Sequence, residues 1–483
     1  MVAKSSVPAQ FKLRPMTGAT NRPGMCGLLI FLGDMASVTA AMALAVFGRY
    51  LFQVDFELVQ YGRLAPVLLL FAAVYAMHGL YPGITYSPVR EIRQLTLSTT
   101  IVFVMFSTLL FLFKVGGEFS RAAFLAAWLM ALFFVPLTRA GLRAILARKA
   151  WWGYPVVIFG ACDNAHRIVE SLRNQPQLGL TPVAVFDDSP AHPIMHANLP
   201  VLGGFGDAAG YAQRFGLTRA LIAVRDLNGE RLTEMLDSHS ESFSRVYIFP
   251  ETSGLSSMGV EPREMCDQVT LEVRRSLLLP QCQLAKAFMD GSCGLILTLL
   301  LAPAMALIAL LIKLESPGPA FYRDRRVGHR GKEFRVWKFR TMHVEGDRIL
   351  EQHFRKYPEA REEWSQNFKL KRDPRVTKLG RFLRKTSLDE LPQLWNVLRG
   401  EMSLVGPRPM LLQEVASYGK SYDLYCRVVP GLTGLWQVSG RSETDYQQRV
   451  DLNTYYVRNW SPWFDIYLLA RTVLVVLKGE GAY

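Results

Sequence analysis

Two adjacent carboxylates, Asp389 and Glu390, lie in the stretch Thr386-Ser387-Leu388-Asp389-Glu390-Leu391-Pro392-Gln393, among the basic residues Arg381, Arg384, Lys385 and Arg399. A carboxylate pair ringed by cations suits a site that gathers phosphate and a metal ion. It also suits a structural job, because Ser387-x-x-Glu390 matches a capping box, in which the two side chains satisfy the free N–H groups of a helix start. Pro392 weakens that second reading. A helix starting just after Ser387 would carry Pro392 beyond its first turn, where the missing N–H loses a bond, whereas a start at Asp389 puts proline where it is tolerated. Capping and chemistry both stay open on these residues alone.

The elements that must position the pair can be read around it. With Asp389 as N-cap, Leu391, Leu394, Trp395 and Leu398 follow at helical spacing up to Gly400, which predicts a short helix buried on one side. Downstream, Gly406-Pro407-Arg408-Pro409 and Gly434-Leu435-Trp436-Gln437-Val438-Ser439-Gly440-Arg441 are turns that each present one arginine. Arg408 is held stiffly between two prolines, since a residue before proline is driven to extended backbone.

These stretches, with Lys338-Phe339-Arg340-Thr341-Met342 upstream, resemble the bacterial sugar transferases called polyprenyl-phosphate phosphoglycosyl transferases. The resemblance covers the C-terminal two fifths in detail and the rest in layout, and runs closest to the undecaprenyl-phosphate galactose phosphotransferase branch, down to the Gly-Ala-Tyr ending. It implies transfer of a hexose-1-phosphate, galactose-1-phosphate first and glucose-1-phosphate next, from a UDP-sugar to undecaprenyl phosphate at a membrane surface, initiating polysaccharide or glycoconjugate synthesis such as exopolysaccharide or O-antigen. An aspartate can form a covalent acyl phosphate while a divalent ion and arginines screen the phosphate oxygens. Carried over position by position, Asp389 resembles the nucleophile and Glu390 its partner on Mg²⁺. Arg384, Arg408 and Arg441, with Lys338 and Arg340, resemble the phosphate- and substrate-binding residues.

In one place the chain departs from the family pattern. An aspartate often stands two residues before the paired aromatics, where this chain has Asn453 ahead of Tyr455-Tyr456. An amide orients a phosphate or ribose but does not balance a cation. Asp451 is a candidate to compensate, and a hydrogen-bonded loop residue is the ordinary alternative for Asn453.

Composition agrees with a membrane setting. Half of the 483 residues are hydrophobic and the formal net charge is +14, so the partners to consider are nucleic acid, an anionic membrane and phosphorylated substrates. Zinc spacing, an RNA-recognition signature and a basic region joined to heptads are all missing, which leaves membrane lipid and phosphates and argues against nucleic acid. The six cysteines are scattered with no CxxC pair, pointing to a reducing compartment.

Along the chain, residues 1–24 read as a cytoplasmic tail without a cleaved signal peptide. Apolar segments near 25–52, 64–81, 94–115 and 119–146 predict a four-span bundle over 25–150, each close to the ~20 residues that cross a bilayer. Arg22 before the first span, Arg90 and Arg93 between the second and third, and Arg139, Arg143, Arg148 and Lys149 at the end of the fourth place both ends of the bundle in the cytoplasm. Asp34, inside the first span, is expected to serve packing or assembly.

Residues 151–280 alternate strands with helix-like segments and predict a parallel Rossmann-like domain. Its first turn, Gly160-Ala161-Cys162-Asp163, has Cys162 where a second glycine would let a pyrophosphate approach. Asp187 after the second strand reads as a turn former before a ribose ligand, and an accessory role in regulation or assembly is expected for the domain. A membrane oxidoreductase built on this domain fails mainly at Cys162, and an assembly protein with a dead transferase domain is opposed by the intact Asp389, Glu390 and arginines.

Phe288 to Leu314 is apolar, contains Ala302-Pro303, and has Arg274, Arg275 and Lys286 before it and Lys313, Arg323, Arg325 and Arg326 after it. Basic flanks on both sides and a proline that breaks the helix at Pro303 predict a segment, 281–315, that enters and leaves by the cytoplasmic face. The resembling family also has a re-entrant helix with a proline break, although a serine often stands where this chain has Ala302. The catalytic domain then spans 316–483, with an amphipathic stretch at 345–370 and an interfacial helix around Trp460 and Trp463. The expected whole is a multi-pass α/β membrane protein of the bacterial inner membrane, with its active site on the cytoplasmic side; a homodimer is one option for its assembly.

Overall fold

The computed structural model describes residues 22–478 except 53–61, 63–64, 82, 84–86, 115–118, 189–194, 197–198, 225–231, 233–234, 237–241, 250–259, 266–267, 274–275, 358–360, 362–369, 371–372 and 441–444. The chain divides into two compact units, Met1–Ser253 and Gly254–Tyr483.

The first unit begins with apolar helices. Pro23–Phe52, Pro88–Leu112 and Arg121–Leu146 are each long and apolar enough to cross a membrane. The second expected span differs: it is an eleven-residue helix, Val67–Met77, about 16 Å long at 1.5 Å per residue. Pro66 stands at its start and Gly79, with φ of 69°, at its end, so proline and a left-handed glycine bound it at both sides.

The charge at Asp34 is answered inside the bundle. Arg139 reaches Asp34 at 2.6 Å and Glu91 at 3.0 Å, Arg143 reaches Glu91 at 2.7 Å, and the Tyr81 hydroxyl donates to Asp34 at 2.9 Å. This corrects the topological count for two residues. Arg139 and Arg143 are buried ion-pair partners that tie three long helices together, whereas Arg148 and Lys149 remain exposed. A buried arginine is stable there because two carboxylates share its charge.

After the helices come four parallel strands, in the spatial order Leu180–Phe186, Tyr154–Phe159, Arg219–Ile222, Arg245–Ile248. In three of them the later residues, Val156–Phe159, Val183–Phe186 and Ala220–Ile222, are apolar and buried on both faces, as a helix-covered parallel sheet requires. At the first turn, the Ala161 N–H donates to the Asp187 carboxylate and the Cys162 thiol meets the Ala223 carbonyl at 2.8 Å. Asp187 thus bonds the first turn of the sheet, 26 positions away, in place of a turn of its own.

The second unit contains the antiparallel hairpin Val260–Met265 and Gln268–Val273, the long helix Pro280–Glu315, and the elements that build a polar cleft. The expected break at Pro303 is not a stop: helix continues unbroken through it over 36 residues. Proline removes one N–H and crowds the preceding turn, but the surrounding leucines and alanines carry the helix past it. Both ends of this helix are fastened within the unit. Lys286 donates to Asp465 at 2.7 Å, Asp290 accepts from Leu404 N at 3.1 Å, and at the far end Glu315 accepts from Leu379 N at 3.1 Å. Between them Leu295, Ile296, Leu299 and Leu300 are exposed.

Candidate active site

A β-hairpin supplies the floor of the site. Strands Phe321–Val327 and Glu333–Phe339 pair antiparallel without interruption, and side chains two apart share a face, so Val336 and Lys338 both line the cleft. Arg340 is two residues further but does not join them. The strand ends at Phe339, and the Arg340 guanidinium turns to the Ser316 and Pro317 carbonyls at 2.7 and 2.9 Å. Ser316 is the cap that ends the long helix and Pro317 follows it, so Arg340 pins the chain just beyond that helix; its expected substrate contact is replaced by a structural one.

Helix Lys378–Thr386 brings in Arg384. Thr377 caps it at Gly380 N, 2.9 Å away, and a Cβ at Gly380 would collide with the Thr341 backbone. Only glycine lets the helix sit this close, and the closeness puts Arg384 Nε 2.9 Å from Thr341 Oγ1.

The chain then reverses at Ser387, whose φ of 56° is left-handed. Leu388–Gln393 winds as a 3₁₀ turn, with α-helix only at Leu394–Leu398. The capping box does not form: Ser387 makes no side-chain cap, and Glu390 bonds Lys338 Nζ at 2.7 Å. Nor is Asp389 an N-cap, since it lies inside the 3₁₀ turn. Pro392 has no N–H with which to close an α-turn, so the tighter winding persists past it. The change of winding also rotates the apolar face: Leu394, Asn396 and Val397 are buried, whereas Trp395 is 50% exposed. Asn396, with no exposure, pins the turn to the hairpin by accepting from Trp337 N at 3.1 Å and donating to the Arg335 carbonyl at 2.8 Å.

Two glycine turns form the opposite wall. Gly406 N donates to the Thr433 carbonyl at 2.8 Å, and a Cβ at Gly434 would strike the Gly406 carbonyl, so the two turns lie in direct backbone contact. That contact sets the Arg408 guanidinium 5.1 Å from the Trp436 ring centre, with Arg449 5.3 Å from the same ring. Arg441 falls outside the described residues.

Asp389, Glu390, Lys338, Arg384 and Arg408 therefore meet in one cleft of about 580 Å³. Arg326 and Arg449 also line it and were missed by sequence reasoning. Arg326 is paired with Asp324 at 2.5 Å, whereas Arg384 and Arg408 have no carboxylate partner among the described residues. Arg449 stands one helical step, i to i+4, from Asn453, a spacing that could have flagged it. The C-terminal helix Pro462–Lys478 closes the rim with Leu469, Thr472 and Val476, and Thr472 bonds Thr433 at 2.8 Å. Trp460, read from sequence as interfacial, is core: its indole donates to Asp465 at 2.9 Å.

Asn453 is buried on helix Tyr446–Asn459 rather than in a loop and donates to the Tyr418 hydroxyl at 2.7 Å. Asp451 does not stand in for the missing aspartate. Two residues away on the helix, it points to solvent and bonds Gln447 at 3.2 Å.

Burial pushes the Asp389 carboxyl up to about 6, Glu390 adds to the rise, and Lys338 and Arg384 pull it back. The group is still mostly ionised at neutral pH. Burial lowers the Arg384 and Arg408 guanidinium values, which an incoming phosphate would reverse.

No cluster of three or more potential metal ligands exists among the described residues. The donor set that does exist is two hard carboxylates at an open cleft, which fits Mg²⁺, an ion that takes one or two carboxylates and completes its shell with substrate phosphate. Glu390, beside Asp389, is the residue that would hold it, and the bound ion would screen phosphate charge.

Comparison with known proteins bears on this site. The family described as "Bacterial sugar transferase" matches residues 281–479, and that described as "CoA-binding domain" matches 76–250. The undecaprenyl-phosphate galactose phosphotransferase of Salmonella typhimurium is 33% identical over 89% of this chain and 90% of its own. The UDP-glucose:undecaprenyl-phosphate glucose-1-phosphate transferase of Escherichia coli is 34% identical over 68% of each. The exopolysaccharide production protein ExoY of Rhizobium meliloti is 47% identical over 41% of this chain and 88% of its own length.

Proposed function

The chain belongs to the bacterial sugar transferase family and is a phosphoglycosyl transferase, and from that premise we propose that it transfers galactose-1-phosphate from UDP-galactose to undecaprenyl phosphate through a covalent aspartyl intermediate. One observation carries the reading: an ionisable carboxylate pair faces Arg384 and Arg408, cations without carboxylate partners among the described residues, across a single cleft.

In the first half-reaction an Asp389 oxygen attacks the phosphorus that bears the sugar. A new O–P bond forms, the bond to the other phosphate breaks, and UMP leaves with the electron pair. In the second, a phosphate oxygen of undecaprenyl phosphate attacks the same phosphorus, the acyl-phosphate bond breaks and the Asp389 carboxylate is restored. Arg384 and Arg408 bind the phosphate oxygens, and Lys338 holds Glu390 in place. Mg²⁺ is the proposed ion, on Glu390 beside Asp389.

We place the site at the cytoplasmic face of the bacterial inner membrane, with Pro280–Glu315 re-entrant. The fastening of both helix ends within one unit, by Lys286 and Asp290 at one end and Glu315 at the other, supports this topology. Glucose-1-phosphate is the second choice for the transferred group, given the Escherichia coli relative's name. The test is exchange of labelled UMP into a panel of UDP-sugars without lipid acceptor. Exchange with UDP-galactose is expected, and its absence with every UDP-sugar would reject a covalent mechanism.

A further inference from the structure

Beside the cleft lies a second, much smaller cavity of about 20 Å³ that shares Arg408, Trp436 and Arg449 with it and is completed by Glu414, Tyr418, Tyr446 and Asn453. Most polar groups around it are committed. Glu414 accepts from Leu411 N at 2.9 Å, the Tyr446 hydroxyl donates to the Glu414 carbonyl at 3.1 Å, and the Tyr418 hydroxyl accepts from Asn453 Nδ2 at 2.7 Å.

Two buried neutral atoms are not. Asn453 Oδ1 and Trp436 Nε1 have no hydrogen-bond partner among the described residues, in residues only 5% and 7% exposed. Leaving a buried polar atom unsatisfied costs its desolvation, so two such atoms on residues that line one small cavity call for a polar group to enter it. The indole N–H requires an acceptor. The Asn453 amide, whichever way its ends are turned, gives one end to Tyr418 and leaves the other open, so it requires either a donor or an acceptor. A hydroxyl meets all of these needs, as a water does, because it donates once and accepts twice. The volume agrees: it admits a single oxygen, at about the 10–15 Å³ a water needs, and not a ring.

We infer that this cavity takes one hydroxyl of the nucleotide-sugar donor, with Trp436 and Asn453 as specificity-determining residues. The inference rests on the proposed use of a UDP-sugar. Either the hexose or the ribose can supply the hydroxyl, and both are within the chemistry of a donor whose diphosphate lies against Arg408. The amide at position 453 then reads a neutral hydroxyl where a carboxylate would favour a cation.

UMP exchange in the full-length protein tests this with UDP-galactose, its 2-, 3-, 4- and 6-deoxyhexose analogues and the 2′- and 3′-deoxyuridine analogues. Wild type should lose about tenfold in kcat/KM for one analogue. Trp436→Phe, which keeps the ring against both arginines, and Asn453→Leu should each slow exchange of UDP-galactose about tenfold yet add nothing to the loss with that one analogue. A hexose position identifies the sugar as the source, and a ribose position the nucleoside. Equal rates for all analogues in wild type, or an identical loss for every analogue in both variants, would show a cavity holding water only and overturn the inference while leaving the transferase reading intact. Absence of exchange with every donor in wild type would overturn both.

Discussion

Lys338 Nζ stands 2.7 Å from Glu390 Oε1, so the lysine neutralises the carboxylate that raises its neighbour Asp389. The two charges act on Asp389 in opposite directions: Glu390 lifts its carboxyl and Lys338 lowers it. Wild-type UMP exchange should fall as pH drops through about 6, because a protonated carboxyl does not attack phosphorus. Residual exchange should have its acid limb moved to lower pH in Glu390→Gln and to higher pH in Lys338→Gln. Limbs that move the same way in both variants would contradict this electrostatic picture.

Asp389→Asn should abolish overall transfer and UMP exchange together, by at least about a thousandfold, since exchange needs the covalent intermediate. The sign of the stability effect is also set. The folded carboxyl sits above its ordinary 3.8, so the native state holds the proton more tightly than the unfolded one and loses stability as pH rises from about 4 to 6. At pH 7.5 the variant should therefore melt no lower than wild type, which separates lost chemistry from lost folding. Near-normal exchange in a folded variant would move the nucleophile elsewhere.

Single cysteines in place of Gln281 and Pro317, at exposed positions flanking the two ends of the long helix, should both react with an impermeant maleimide only in inverted vesicles. Reaction of the Pro317→Cys protein from the periplasmic side alone would mean that Pro280–Glu315 crosses the bilayer.

Gly254–Tyr483, which groups as one compact unit, should retain UMP exchange within about tenfold of the full chain in nanodiscs. The bacterial sugar transferase family matches residues 281–479, which lie wholly within this unit. A folded fragment without turnover would give the preceding unit a part in the chemistry.

Much of the site was legible because its residues cluster in short stretches whose proline and glycine punctuation fixes the backbone. Asp389, Glu390, Arg384 and Arg408 reach the cleft from such stretches. Arg340 was carried over by resemblance together with Lys338, and the strand that would keep the two on one face ends one residue before it. The 3₁₀ winding at Leu388–Gln393 was hidden because sequence shows the proline but not the left-handed Ser387 that sets up the turn. Arg139 read as a flanking charge since its partner Asp34 is 105 positions away, a separation no local pattern reports. Arg449 was not singled out because the ring it meets, Trp436, lies outside its own helix.

The Asp34–Arg139–Glu91–Arg143 cluster holds two cations and two anions, so its charges sum to zero. An electric field does work on a group in proportion to its net charge, about 2.3 kcal/mol per elementary charge for each 100 mV crossed. A neutral quartet moving as a body therefore feels no net pull from the membrane potential, at whatever depth it lies. The quartet thus adds buried ions to the bundle without adding net charge for the membrane potential to act on.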